Sequence, residues 1–375
     1  MTKVCHVTSV HPRYDTRIFI KECTSLANAG YEITLLVADG KPDEEKNGVK
    51  IISVTGIPKS RFQRIIKSSN IMYKKALEVD AEIYHLHDPE LLPLARKLKK
   101  VGKKVIFDSH ENYPAQIKVK GYIPSILRSA ISSIYKSYET ETAKMIDAVV
   151  TPCTFFDGVD IFEGRCQKTE IISNAPLLSE FYDKYQHKNQ ENKVPSVCHV
   201  GGLTYSRGIT HLIKAAYKAN LKLILGGRFS PASYETEVKQ MLEYSCVDYR
   251  GHLTREQVLK VHQESTIGAA TILNIGQYNT GDNFATKVYE YMSMGLPVII
   301  TKYSYAEKMI QKYDLGIAVT PDNVDEIADA IMYLIYNPDK ANEMGENGRR
   351  AILEEFNWGI EERKLLKLYK QLSDI

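Results

Sequence analysis

Residues 282–301 read DNFATKVYEYMSMGLPVIIT. An acid, seven residues, a second acid and then Gly-Leu-Pro lead into a β-branched run. The spacing predicts a helix over 283–294, closed by glycine and proline, followed by a buried strand. Asp282 stands near the helix start and Glu290 two turns further on, facing the same way. One reading makes Asp282 an N-cap and Glu290 the partner of Lys287, three residues before it. The other is chemical. N–H groups of Asn283, Phe284 and Ala285 at the helix N-terminus hold a diphosphate, and Glu290 accepts hydrogen bonds from paired ribose hydroxyls.

The same strand-then-helix unit recurs in both directions. Upstream lie SVCHVGG, a helix near 208–219, LKLILGG, a helix near 232–244, CVDYRG, a helix near 254–264 and IGAATI. Downstream come helices near 305–313 and 323–336 around GIAVT, then a helical tail holding the only tryptophan, Trp358. The first half alternates likewise through KVCHVTSV, IFIKECTSLANAG, YEITLLVA, VKIISVT, AEIYHLH, KVIFDS and DAVVTP, with helices near 61–79, 89–101 and 124–145. Such alternation predicts the α/β class, with two doubly wound parallel sheets of Rossmann-like type in tandem. The polar stretch at 180–196 reads as the link between them.

A chain of 375 residues exceeds one comfortable core, and 43% hydrophobic with 25% charged residues is the composition of a globular protein. The opening MTKVCHVTSV lacks the apolar core of a secretory signal, and no apolar run reaches the length of a membrane span, so a cytoplasmic location is expected. The six cysteines show no C-x-x-C spacing and read as reduced, without a metal. Charge is uneven: residues 57–137 hold sixteen Lys/Arg against seven Asp/Glu, a local +9 that leaves −6 elsewhere in a chain of net +3. This fits either solvated helix faces or a surface that meets an anionic substrate or membrane.

In parallel sheets ligands collect at the carboxyl ends of strands. Two glycine pairs occupy such ends, Gly201-Gly202 and Gly226-Gly227, each followed by an arginine, Arg207 and Arg228. Glycine lets a phosphate approach the backbone, and guanidinium supplies a bidentate donor. Neither the G-x-G-x-x-G fingerprint nor a P-loop is present, which argues against dehydrogenase and P-loop chemistry.

These segments resemble the family 4 glycosyltransferases of GT-B fold. VGGLTYSRGI is similar to their glycine-rich turn, LILGGRFS to their G-x-G strand, VDYRGHLTREQ to their base-binding segment, and residues 282–301 to their E-x7-E helix. HPRYDTRIFIKECTSLANAGYEITLL and FDSHENYP resemble the first domain of polysaccharide-assembly members. The resemblance implies two Rossmann-like domains facing across a cleft. Residues 1–185, joined by a returning helix at 357–375, would bind the acceptor, and 190–356 would bind the donor.

It further implies that Glu290 holds the ribose, Asp282 the donor sugar, Arg207 the diphosphate, and Gly251 and Leu253 the base, with His110 facing the sugar. On this reading His110, Asp282 and Arg207 are the catalytic set. Gly201, Gly202, Arg228, Asn283, Phe284, Ala285, Lys287 and Glu290 complete the donor site. Arg13, Asp15, Arg17, His87 and Glu111 are expected toward the acceptor. Three positions depart from the family: Asp282 is shorter than the usual glutamate, Gly202 replaces an arginine, and Arg207 replaces a lysine.

The implied reaction is retaining transfer from a UDP- or GDP-sugar to a glycan or polyprenyl-linked saccharide, as in surface polysaccharide assembly. Its main need is stabilisation of charge on the leaving diphosphate. No D-x-D occurs, so no metal cofactor is expected, nor nucleic acid; an anionic inner membrane face is a candidate partner. The alternatives are a nucleotide-sugar epimerase of the same fold and a non-catalytic, degenerate transferase.

Overall fold

The computed structural model describes residues 1–58, 61–121, 123–156, 158–181, 194–276 and 278–373. Most of the expected link at 180–196 therefore lies outside the described residues. The chain divides into two compact units, Met1–Asn174 with Trp358–Ile375, and Ala175–Asn357.

In the first unit the strands are β1 (Lys3–Thr8), β2 (Glu32–Val37), β3 (Glu44–Lys46), β4 (Val49–Ser53), β5 (Ile83–Leu86), β6 (Lys104–Asp108), β7 (Ala148–Thr151), a two-stranded β8 (Phe155–Phe156) and β9 (Val159–Asp160), and β10 (Thr169–Ile171). The main sheet runs β10-β7-β6-β5-β1-β2-β4-β3. All its pairs are parallel except β3 with β4. In the second unit β11 (Ser196–Val200), β12 (Lys222–Gly226), β13 (Val247–Tyr249), β14 (Ile267–Ala270), β15 (Val298–Thr301) and β16 (Gly316–Val319) form a wholly parallel sheet, ordered β13-β12-β11-β14-β15-β16. The strand order reverses at β1 in one unit and at β11 in the other. Those two carboxyl ends are where such sheets bind ligands.

The central strands are apolar on both faces because helices cover both. Two apolar clusters flank the second sheet, one built around Tyr291, Met292 and Val298, the other around Leu212, Leu223 and Ile331. Helix starts follow local chemistry. Asn323 caps Val324–Tyr336, and Thr254 with Gln257 forms a capping box for Arg255–Glu264.

Several expected boundaries shift. The segment 232–244 is a shorter helix, Ala232–Lys239, followed by a 3₁₀ turn. The first helix opens as a π-helical stretch, Thr16–Cys23, with Asp15 accepting from the N–H groups of Arg17 and Ile18. The helix expected over 283–294 spans Thr286–Ser293 and is capped by Ala285 without a side-chain bond. Asp282 is therefore not its N-cap.

The last helix, Trp358–Ser373, belongs to the first unit. Trp358 Nε1 donates to Ser25 Oγ at 2.9 Å, and Glu361 Oε2 accepts from the N–H of Ser173 at 2.8 Å. Among the described residues no helix is long and apolar enough to cross a membrane.

Candidate functional site

At the end of β11 the backbone is drawn tightly against its neighbour. Gly201 N–H donates to Gly226 at 2.8 Å and Gly227 N–H to Gly251 at 2.7 Å. Gly227 has φ 143°, and a Cβ there would lie 1.7 Å from the Gly201 carbonyl oxygen, so only glycine fits. Gly202 is exposed, with nothing within 4 Å of where its Cβ would be. The result is an open glycine floor.

Lys287 stands over that floor. It is buried, and a Cβ on Gly201 would come 2.9 Å from its ammonium nitrogen. Its Nζ lies 2.8 Å from His199 Nε2. The other nitrogen of His199, Nδ1, faces the Ala269 carbonyl oxygen at 3.0 Å, so Nδ1 carries the proton and Nε2 accepts from Lys287. Burial and the lysine hold His199 well below the ordinary imidazole range, which keeps it neutral. Burial first and the Arg207 charge second lower Lys287 to about 7. Arg207 is half-buried, 4.6 Å over the Tyr278 ring, and leads into the left-handed Gly208. A concentrated positive site of this kind, on a glycine turn, suits a diphosphate.

Other expected donor residues are placed differently from expectation. Glu290 pairs with Arg255 at 2.7 Å, not with Lys287, and Arg255 also reaches Glu180 at 2.6 Å. The N–H of Phe284 is taken by Tyr289 Oη at 3.2 Å, and Tyr303 Oη donates to the Asn283 carbonyl oxygen at 2.6 Å. Asn283, Phe284 and Ala285 thus precede the helix, and its first-turn N–H groups begin at Thr286. Arg228 is exposed, while its carbonyl accepts from Leu203 N–H at 3.0 Å. Leu253 packs on Gly226, where a Cβ would approach its Cδ1 to 2.5 Å; Gly251 turns at φ 65°. His199 and Arg255 escaped the sequence reading, although a histidine inside the doubly covered strand SVCHV was a signal.

The acceptor-side expectations are largely corrected. Arg13 is buried, with Nε 2.7 Å and Nη2 3.0 Å from the Asp39 carboxylate and Nη1 2.6 Å from Glu44. Asp15 is spent on the helix cap; burial opposes its ionisation, but His11 and two backbone N–H groups bring it down to about 2. Arg17 is buried and bidentate on Asp108, at 2.8 and 3.1 Å, and also donates to the Ile172 carbonyl oxygen at 2.8 Å. Arg13 and Arg17 are thus committed to acids inside the first unit, while Asp15 remains partly exposed.

His87 is also buried, and burial lowers it to about 4. Glu111 is exposed and accepts from Gln116. His110 is partly exposed, with Nε2 3.0 Å from Asp108 Oδ2. Its Nε2 therefore carries a proton, which leaves Nδ1 as the nitrogen not engaged by that carboxylate.

Among the described residues, two groups could gather ligand atoms for a metal: His6, Glu22, His85 and His87, and His87, Asp108 and His110. Arg17 Nε lies 2.8 Å from Asp108 and 3.1 Å from Glu22. A fixed guanidinium thus already stands between the two carboxylates, where a second cation would be repelled.

Two family models match. Glycosyl transferases group 1 covers residues 181–351, and Glycosyltransferase Family 4 covers 17–157. Together they take in most of the sequence, and the chain belongs to the family 4 glycosyltransferases of GT-B fold. The α-maltose-1-phosphate synthase of Mycolicibacterium smegmatis is 25% identical over 190 residues, 48% of each chain. The match thus spans about half the length of that curated relative. Sucrose-phosphate synthase from Thermosynechococcus elongatus superposes with TM-score 0.80 at 18% identity over 100% of both chains. Anabaena HepE, solved with UDP and glucose, gives 0.72 at 13% identity, again over 100% of both. These structural likenesses show the fold.

Proposed function

We propose that the protein transfers a sugar from a nucleoside-diphosphate sugar to a saccharide acceptor, with retention at the anomeric carbon. The observation that carries the reading is Lys287 Nζ set over the Gly201 backbone, beside Arg207. Charge gathers on the departing diphosphate in the transition state, and two cations fixed on a glycine turn stabilise it there. Glu290 would exchange part of its contact with Arg255 for the ribose hydroxyls, and Asp282 would contact the sugar. His110, in the first unit, would position the sugar through Nδ1. The uridine nucleotide bound by HepE supports UDP as the first donor to try, with GDP next.

A thermal-shift series with UDP, GDP, ADP and CMP tests this. One nucleotide at a hundredfold excess over its Kd should stabilise the wild type by about 2.7 kcal/mol. Glu290→Ala should weaken its binding about ten- to a hundredfold, the worth of hydrogen bonds to a charged group. No shift with any nucleotide at millimolar concentration sinks the reading. Product that forms only when acceptor is added separates transfer from epimerisation.

The acceptor is proposed to be a lipid-linked saccharide. The helix Ser125–Ala143 exposes Ile126 at 86% and Ile134 at 70%, with Leu127 and Ile131 also exposed, eight residues or fewer apart. Lys118, Lys120, Arg128 and Lys136 lie in or near it. An apolar stripe edged by basic residues suits an anionic lipid surface. The protein should pellet with phosphatidylglycerol vesicles at low salt, and Ile126→Asp with Ile134→Asp should abolish this. Equal pelleting of the double variant would remove the membrane from the proposal.

A further inference from the structure

Behind His110 runs a chain of buried side chains, all within the first unit. Asp108 Oδ2 is hydrogen-bonded to His110 Nε2 at 3.0 Å, while His87 Nδ1 faces the same oxygen at 3.3 Å without hydrogen-bond alignment. His87 Nε2 is 2.9 Å from His6 Nδ1. His6 Nε2 is 3.1 Å from Tyr369 Oη, and that oxygen is 2.8 Å from His85 Nδ1. His6, His85 and Tyr369 have no exposed surface, and His87 almost none.

The donors can be assigned from one end. Asp108 is held ionised: burial would raise it, but Arg17, His110 and His87 bring it well below the carboxylate range. An ionised carboxylate only accepts, so His110 Nε2 carries a proton, and a lone pair on His87 Nδ1 would be repelled by that oxygen at 3.3 Å, so His87 Nδ1 carries one too. Burial keeps His87 and His6 neutral, so His87 Nε2 is a lone pair and must accept from His6 Nδ1–H. His6 Nε2 is then the acceptor for the Tyr369 hydroxyl, whose oxygen takes the proton of His85 Nδ1. Every link points toward Asp108. Glu22 lies 3.9 Å from both His6 Nδ1 and His87 Nε2, too far to compete for either proton.

We propose that Tyr369, His6 and His87 are positioning residues: a one-way hydrogen-bond chain that ends with the His87 N–H dipole facing Asp108, steadies that carboxylate and thereby holds His110 with its Nδ1 lone pair presented for substrate. The last helix, through Tyr369, is then part of the sugar-side machinery and not only a strap. The kinetic part rests on His110 acting in transfer, as proposed above; the direction of the chain does not. In the low-dielectric interior each bond polarises the next, so a break is felt along the whole chain. Small displacements of a positioned group cost up to about a hundredfold in rate.

Long-range proton–nitrogen spectra of ¹⁵N-histidine-labelled protein report which nitrogen of each ring is protonated. The expected result is Nδ1–H for His6, His85 and His87 and Nε2–H for His110. His6→Gln preserves the direction, since its amide can donate to His87 and its carbonyl accept from Tyr369. His6→Leu breaks it, and Tyr369→Phe removes only the hydroxyl.

The Leu and Phe variants should lower kcat by roughly tenfold or more, with the donor KM and nucleotide binding unchanged, and Gln should restore most of the rate. A His87 ring protonated on Nε2, or averaged between tautomers, overturns the chain. Unchanged kcat in both broken variants overturns the positioning role. If no donor supports transfer, the functional reading fails by itself, and the nitrogen spectra still decide the chain.

Discussion

Lys287→Met should make the free protein more stable at neutral pH while cutting its affinity for a nucleoside diphosphate about ten- to a hundredfold. The gain comes from removing a buried ammonium. Lys287 falls from 10.5 to about 7 in the folded state, and each unit is about 1.4 kcal/mol of cost to the charged form. Against this, methionine leaves His199 Nε2 buried without a donor, a cost of about 1–3 kcal/mol. The first term is larger at pH 7, so Tm should rise.

The sign of the pH dependence sharpens the test. Between about 7 and 10.5 the unfolded chain holds the Lys287 proton and the folded protein does not, so wild-type stability grows with pH across that window. Near pH 10 the burial cost is almost gone and only the orphaned histidine remains, so the variant should be the less stable of the two. Binding follows the opposite course. A diphosphate favours the ammonium, and wild-type affinity should be flat below about pH 7 and fall by up to about tenfold per unit above it. Calorimetric titration with the stabilising nucleotide at pH 6 and pH 8.5 measures both. Unchanged affinity in the variant would mean that Lys287 faces no phosphate.

Arg17→Met should cost about 3–5 kcal/mol, because it strands Asp108 and its own partners in the interior. For a unit of this size the melting temperature should drop by about 10 °C. Asp108 is depressed in the folded protein, so its contribution is present above the usual carboxylate range and is lost as pH falls through its folded value. Without Arg17 the carboxyl protonates more readily, and the gap between variant and wild type should narrow as pH is lowered. Chemical unfolding at pH 7 and pH 5 checks both statements. A loss below about 1 kcal/mol would show that the guanidinium is not the hub of the first unit.

These two cations illustrate what could be read from the sequence and what could not. Strands such as LKLIL and PVIIT were legible because helices cover both faces and leave an apolar run with no other reading. Gly201 and Gly227 were legible as turn residues at strand ends. Arg13 and Arg17 lie four residues apart and look alike, yet each is claimed by an acid far along the chain, Asp39 and Asp108. Glu290 likewise finds Arg255, 35 residues upstream, in place of the lysine three residues before it. Local spacing proposes a partner; the topology of a parallel sheet brings better ones. The start of the helix at Thr286 was hidden for a different reason, since Ala285 caps it through the backbone alone and leaves no side-chain signature.

The placement of Trp358–Ser373 has a consequence for how the molecule is made. The second unit is inserted into the first, between Asn174 and Trp358. Synthesis proceeds from the N-terminus, and domains generally fold as they are completed. Here the element that emerges first lacks its last helix until the inserted unit has been translated. Ser25, His6 and His85 wait for Trp358 and Tyr369 through that interval, with buried polar groups unpaired. The second unit, Ala175–Asn357, is continuous and can close on its own. The second part of the chain should thus be the first to reach its native state, and the first part is the one exposed to chaperones and proteases on the ribosome.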